Sequence, residues 1–178
     1  MAGDIPEGLL LVDHRENEKV IHKLIMILGD AKTEPNGKVW VCQMKTGDYR
    51  IGDWIIEAKE INDLAGSITG QGRSRTVAAQ LRDMEESNPE LTPWLVVYGE
   101  TSDLKPWVPT RFKGGKKTNV RQQKVVAKAR QKGQIKAFKQ GFCLRFPNVR
   151  YFHLETMESF IDWIVEQYKQ KVIMQSLE

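Results

Sequence analysis

Gly47-Asp48-Tyr49, followed four residues later by Trp54-Ile55-Ile56-Glu57-Ala58-Lys59, is the stretch that decides how this chain folds. The second piece is apolar and β-branched up to its last three residues, which reads as a strand covered on at least one face. On a strand, residues i and i+2 point to the same side. Glu57 and Lys59 therefore project together, and Ile56 and Ala58 project the other way. Gly52-Asp53 reads as a turn. Upstream, Val39-Trp40-Val41-Cys42-Gln43-Met44 reads as another strand, interrupted at Gly47-Asp48. The expectation is that these two strands form a hairpin around residues 50–53, which brings Asp48 alongside Glu57. Two carboxylates and one ammonium then converge. Hard divalent cations want oxygen ligands, and Mg2+ typically takes one or two carboxylates with water and phosphate. A lysine beside them can stabilise a developing negative charge.

The flanks supply the rest of an α/β chain. Leu9-Leu10-Leu11-Val12 is a short apolar run ending in Asp13, a buried strand that delivers a third candidate carboxylate. Residues 16–28 carry Val20, Leu24, Ile27 and Leu28 at helical spacing, with Asp13 or Asn17 as the cap. Short helices are expected over 61–68 and 76–86, then a fully covered strand over 94–98. A helical stretch follows over 120–140, broken near Gly133, then a last strand over 149–153. The closing helix, 155–171, presents Phe160, Ile161, Ile164, Val165 and Tyr168 on one face, a core stripe that can double as an interface. The order predicts a mixed central sheet with helices on both faces.

Charge is divided unevenly. The 178 residues hold 27 Lys and Arg against 23 Asp and Glu, a net +4. Residues 104–154 contain no acid at all but carry 14 of the basic residues, so the remainder is acidic. A basic segment on an acidic body points to a polyanionic partner. Arg111, Lys113, Lys116 and Lys117 fall in a Gly- and Pro-containing loop over 105–119, and Arg121, Lys124, Lys128, Arg130 and Lys132 extend it into the helix. Basic side chains without aromatic neighbours suit phosphate contacts rather than base reading, so no stacking platform is expected. No apolar run approaches a membrane span, the acidic N-terminus is unlike a signal peptide, and the chain reads as intracellular. Cys42 and Cys143, far apart, give neither a disulfide framework nor a zinc pattern and read as core residues.

The motifs together resemble the XPF/ERCC4 nuclease domain, of the Mus81 and Hef kind. Val12-Asp13-His14-Arg15-Glu16 resembles its V-D-x-R-E opening. Gly47-Asp48-Tyr49, Glu57-Ala58-Lys59 and Asp63-Leu64 resemble its G-D-Y … E-R-K-x-x-x-D-L signature. Ser67-Ile68 with Gly72-Arg73, and Pro93 to Glu100, resemble two further elements, and the likeness runs in order through residues 8–170. The resemblance implies a restriction-endonuclease-like α/β core of the PD-(D/E)xK superfamily. It implies a Mg2+- or Mn2+-dependent endonuclease that hydrolyses phosphodiester bonds in branched, flap or junction DNA, and a homodimer. Carried over by position, Asp48 and Glu57 match the metal carboxylates, Lys59 the catalytic lysine and Asp13 an accessory catalytic and metal acid. Arg15, Glu16 and Asp63 match supporting residues, and Arg73 or Arg75 an arginine placed towards DNA.

Three features depart from the pattern. Ala58 stands where the family has the arginine of E-R-K. The spacing from Gly72-Arg73 to Gln80 is longer than in G-R-L-x-x-Q, which favours Arg75 over Arg73. The expected organisation is a single nuclease domain over 1–178 without a helix-hairpin-helix domain, so that substrate choice falls to the basic segment or a partner. The alternatives are an inactive DNA-binding or docking module, or a resolvase-like or exonuclease variant, on the same fold.

Overall fold

The computed structural model describes residues 8–69, 75–106 and 120–173. Its regular elements are β1 (Leu10–Asp13), α1 (Glu18–Leu28), β2 (Val39–Cys42), β3 (Tyr49–Ile51), β4 (Trp54–Glu60), α2 (Ile61–Thr69), α3 (Val77–Ser87), β5 (Thr92–Tyr98), α4 (Val120–Arg145), β6 (Arg150–Leu154) and α5 (Met157–Tyr168). The strands form one mixed sheet in the order β2-β1-β3-β4-β5-β6. Its outer pairs, β1 with β2, β4 with β5 and β5 with β6, are parallel, while β3 runs antiparallel to both neighbours.

The expected hairpin exists, but between different strands. Tyr49–Ile51 forms its own strand and pairs with Trp54–Glu60 around the Gly52-Asp53 turn. Val39–Cys42 lies at the far edge, parallel to β1. The reason is the helix between them: a strand that returns after an eleven-residue helix has made a crossover, and crossovers return parallel. α1 is capped by Asn17, whose side chain accepts the Lys19 N–H at 3.0 Å, not by Asp13.

Alternation along β4 divides the core in two. Ile56 and Ala58 join Leu10, Val12, Tyr49, Val96 and Tyr98 beneath α1 and α5. Ile55, Leu95 and Val97 pack beneath α2, α3 and α4. Phe160, Ile161, Ile164 and Tyr168 are buried in the first cluster, so the α5 stripe is core. α4 runs unbroken through Gly133, whose missing side chain faces open space. The glycine costs about 1 kcal/mol of helix propensity. Ile135, Phe138 and Phe142, all after the glycine, anchor the second half of the helix in the core, with Phe146 just past its end. Cys42 is half-buried and Cys143, on the outer side of α4, is exposed rather than in the core. No helix among the described residues is long and apolar enough to cross a membrane.

Candidate active site

The site begins with a backbone requirement. Gly47 has φ +69°, and a Cβ there would lie 2.7 Å from Ile55 Cγ1, so only glycine fits. The bend it allows threads Asp48 between two strands. The Asp48 N–H donates to the Ile56 carbonyl at 2.7 Å, and the Asp48 carbonyl accepts the Asp13 N–H at 2.8 Å. With the backbone pinned on both sides, Asp48 Oδ2 accepts the Ala58 N–H at 2.8 Å. That bond sets the Asp48 carboxylate against β4, where Glu57 stands.

Glu57 is 4 % exposed. Its Oε1 receives two donors, Lys59 Nζ at 2.6 Å and Gln80 Nε2 from α3 at 2.7 Å. The shared face of Glu57 and Lys59 is the one that alternation requires. Ala58 turns to the other side and is buried with the α5 cluster. What the site takes from position 58 is the backbone N–H, which any non-proline residue supplies. Gln80 was legible in the sequence as the glutamine closing the G-R … Q element, but nothing there says that it reaches Glu57.

The electrostatics are those of acids crowded together. Burial, then the neighbouring Glu57 and Glu16 carboxylates, push Asp48 well above the ordinary carboxylate range; the Ala58 N–H and Lys59 offset this only in part. Burial raises Glu16 as well. The Tyr49 hydroxyl, donating to Glu16 Oε2 at 2.8 Å, pulls it back, and Glu57 pushes it up again. Burial alone would lower Lys59, but its contact with Glu57 and the nearby Asp48 raise it above its usual value, so it stays an ammonium. Lys59 is therefore a donor and a charge, not a base.

Asp13 lies apart from this pair in its chemistry. Its Oδ1 accepts from Arg15 N at 2.8 Å and Arg15 Nε at 2.7 Å. Its Oδ2 accepts from Arg15 Nη2 at 3.0 Å and Met44 N at 2.7 Å. Burial raises its pKa, but the Arg15 and Met44 bonds outweigh that and hold it at about 2. Arg15 also donates to the Met44 carbonyl at 2.9 Å, so Asp13 and Arg15 together tie the ends of β1 and β2. Among the described residues no three His, Cys, Asp or Glu side chains are grouped to hold a metal ion. Asp13, expected as a third ligand, is thus occupied as a structural acceptor.

The donor set of Asp48 and Glu57 nevertheless suits a hard divalent cation. Asp48 Oδ1 and Glu57 Oε2 receive no hydrogen bond among the described residues. Two mutually repelling, desolvated carboxylates are what a cation with one or two protein ligands relieves. A cleft of about 790 Å3 reaches Lys59 and Gln80, the two donors to Glu57, and is lined also by Arg15, Glu16, Asp63 and Arg75; Asp48 and Glu57 themselves lie behind its wall. Asp63 stands exposed in the first turn of α2. Arg75, just before α3, is spread along that helix by an ion pair with Asp83 at 2.5 Å and does not join the carboxylates. Arg121 and Lys124 are exposed in the first two turns of α4. Arg73, Lys113, Lys116 and Lys117, with most of the 105–119 loop, lie outside the described residues.

A family model described as the ERCC4 domain matches residues 12–166. The chain belongs to the ERCC4 domain family. The match spans β1 to α5, so it takes in Asp48, Glu57, Lys59 and Gln80 alike. Among solved structures, XPF from Aeropyrum pernix superposes with a TM-score of 0.56 at 20 % identity, over 90 % of this chain and 63 % of that one. The same protein in a complex with DNA gives 0.56 at 18 % identity, with the same coverage. At these identities the likeness establishes the fold. The chain spans less than two thirds of the length of those XPF chains. A search of curated proteins finds no match. The ERCC4 family is one of structure-specific DNA nucleases.

Proposed function

We propose that this ERCC4-family chain is a Mg2+- or Mn2+-dependent endonuclease that hydrolyses phosphodiester bonds in branched, flap or junction DNA. The observation that carries the reading is the convergence of Asp48, Glu57 and Lys59, with Glu57 Oε1 held by both Lys59 and Gln80. Asp48 and Glu57 would hold the divalent cation, which when bound would polarise the scissile phosphate and acidify a water. Lys59 keeps its proton and donates it as a hydrogen bond to the phosphate oxygen or to the attacking water, where negative charge builds. Gln80 fixes Glu57 Oε1 and so leaves Oε2 as the oxygen for the cation. Asp13 and Arg15 hold the strand ends against which Asp48 is pinned. Glu16, kept in place by Tyr49, and Asp63 line the cleft as supporting acids.

DNA is held by its backbone. Arg75 at the cleft and the exposed Arg121 and Lys124 on α4 would contact phosphates, joined by Arg73, Lys113, Lys116 and Lys117. They compensate an acidic body that would otherwise repel DNA. The protein is intracellular and acts as a homodimer, which gives a junction its two-site footprint. The test is incubation with labelled linear, flap and four-way DNA in Mg2+ or Mn2+. Cleavage of the branched substrates at a nick-sized position near the branch, absent in chelator, is expected. Binding without cleavage in either metal would leave a DNA-binding module on a nuclease fold.

A further inference from the structure

A second surface lies on the other face of the sheet, towards the N-terminal ends of β4, β5 and β6. Four elements, β4, β5, β6 and α5, meet there in an aromatic series. Phe152 and Trp163 stack with centroids 5.6 Å apart and planes 24° apart. Trp163 and Trp54 follow at 6.5 Å and 17°, and Trp54 meets Trp94 at 4.5 Å and 40°. The inner end, Trp54, is buried, while the outer ring, Phe152, is 39 % exposed on the edge strand. Phe152, Trp163 and Trp54 are thus near-parallel with Phe152 at the exposed end, while Trp94, 57° from Trp163, packs against them at an angle. The sequence offered no hint of this platform, because its members are distant in the chain.

Cations accompany the rings. The Arg150 guanidinium lies 5.3 Å from the Trp94 ring, and Lys171 lies 4.7 Å from that of Trp54. Lys171 is already paired with Asp53 at 2.6 Å. Arg150 is exposed and has no ion-pair partner among the described residues. Register sets Arg150 opposite Trp94 and Phe152 opposite Val96, so the two share one face of β6, about 7 Å apart along the strand. Both belong to the acid-free segment, residues 104–154.

We propose that this platform binds single-stranded DNA, with a base stacked on the open face of Phe152 and a phosphate on Arg150. A planar base continues a parallel aromatic stack in a way that aliphatic protein side chains do not, and the unpaired guanidinium favours a polyanion. Stacking is sequence-tolerant, so the platform recognises strandedness rather than sequence. The inference rests on the reading of DNA as ligand, but not on cleavage. On a branched substrate it gives the chain a grip on the single-stranded arm away from the cleft.

The experiment titrates the full chain with oligo(dT) in chelator, following tryptophan emission, with junction cleavage measured in parallel. Saturable quenching is expected. Phe152→Leu, which keeps apolar bulk but has no ring, should weaken oligo(dT) binding roughly tenfold, and Phe152→Trp should retain it. Arg150→Gln should weaken binding and reduce its salt dependence. Phe152→Leu binding as tightly as wild type overturns the proposal, as does a wild-type chain that does not bind oligo(dT). A Phe152→Leu chain that changes sedimentation mass with oligo(dT) affinity unchanged also overturns it, making the surface a contact between copies. Ring-dependent oligo(dT) binding without junction cleavage sinks only the nuclease reading, and cleavage with ring-independent binding sinks only this one.

Discussion

Replacing Asp13 by Asn removes one charged acceptor and inserts a donor where two donors already point. In the wild type, Oδ1 serves Arg15 N and Nε, and Oδ2 serves Arg15 Nη2 and Met44 N. The amide can keep the Oδ1 pair, now without charge assistance, for a loss of about 1 kcal/mol. Its NH2 group faces Met44 N–H and Arg15 Nη2, leaving the Met44 N–H unpaired at a further cost of about 2 kcal/mol. The expected total is about 3 kcal/mol, and for a domain of this size a fall of roughly 6–12 °C in Tm. The pH dependence has a definite sign. The Asp13 carboxyl is depressed from 3.8 to about 2 in the folded chain, so its stabilisation is full above its ordinary pKa and is lost as the pH falls towards 2. Urea unfolding of wild type and Asp13→Asn at several pH values should give curves that differ most at neutral pH and converge in acid. Calorimetric titration of the variant with Mn2+ should still find the cation site. An Asp13→Asn chain of wild-type stability that no longer binds Mn2+ would refute the reasoning and restore Asp13 as a ligand.

Other expectations can be checked independently. Gln80→Leu removes one of the two donors on Glu57 Oε1 and should lower junction cleavage ten- to a hundredfold while leaving DNA affinity unchanged, as a gel-shift titration beside the cleavage assay will reveal. Arg121→Ala with Lys124→Ala should weaken binding to all duplex sequences alike and reduce the salt slope by about 2, measured by anisotropy at several ionic strengths. His153, which bonds the Gly99 carbonyl at 2.8 Å and meets Lys139 Nζ at its other ring nitrogen, is depressed chiefly by burial, with Lys139 adding to it. Its contribution is present above its ordinary pKa of 6.5 and is lost as the pH falls through and below that value, so wild type should lose stability between pH 7 and pH 5 more steeply than His153→Asn.

Much of the fold could be read because it depends on local periodicity. The alternation of residues 54–59 gave both the strand and the shared face of Glu57 and Lys59, and the heptad-like spacing of 160–168 gave a core helix. Tyr49–Ile51 escaped notice because three residues between two Gly-Asp pairs are too few to show a period. Without that strand, the pattern assigns Val39–Cys42 to the hairpin, although the helix before it demands a parallel return. Asp48 nonetheless comes beside β4 in either pairing, because Gly47 and Asp48 enter the sheet at the same point. Which atoms occupy a carboxylate is a tertiary matter. Asp13 and Asp48 both look like strand-end acids in the sequence, yet one is saturated by Arg15 and Met44 and the other is crowded by Glu57 and Glu16. That Gln80 reaches Glu57, and that Phe152 ends an aromatic stack, is legible only after α3 and β6 have been set against their neighbours.

The central claim is that Asp48, Glu57 and Lys59 form one hydrolytic centre. Its most direct test compares wild type with Asp48→Asn on a labelled four-way junction in Mn2+, with affinity for the same junction measured in chelator. The account predicts cleavage by wild type, loss of at least a hundredfold in the variant, and unchanged affinity in chelator. Equal cleavage by the two proteins would contradict it.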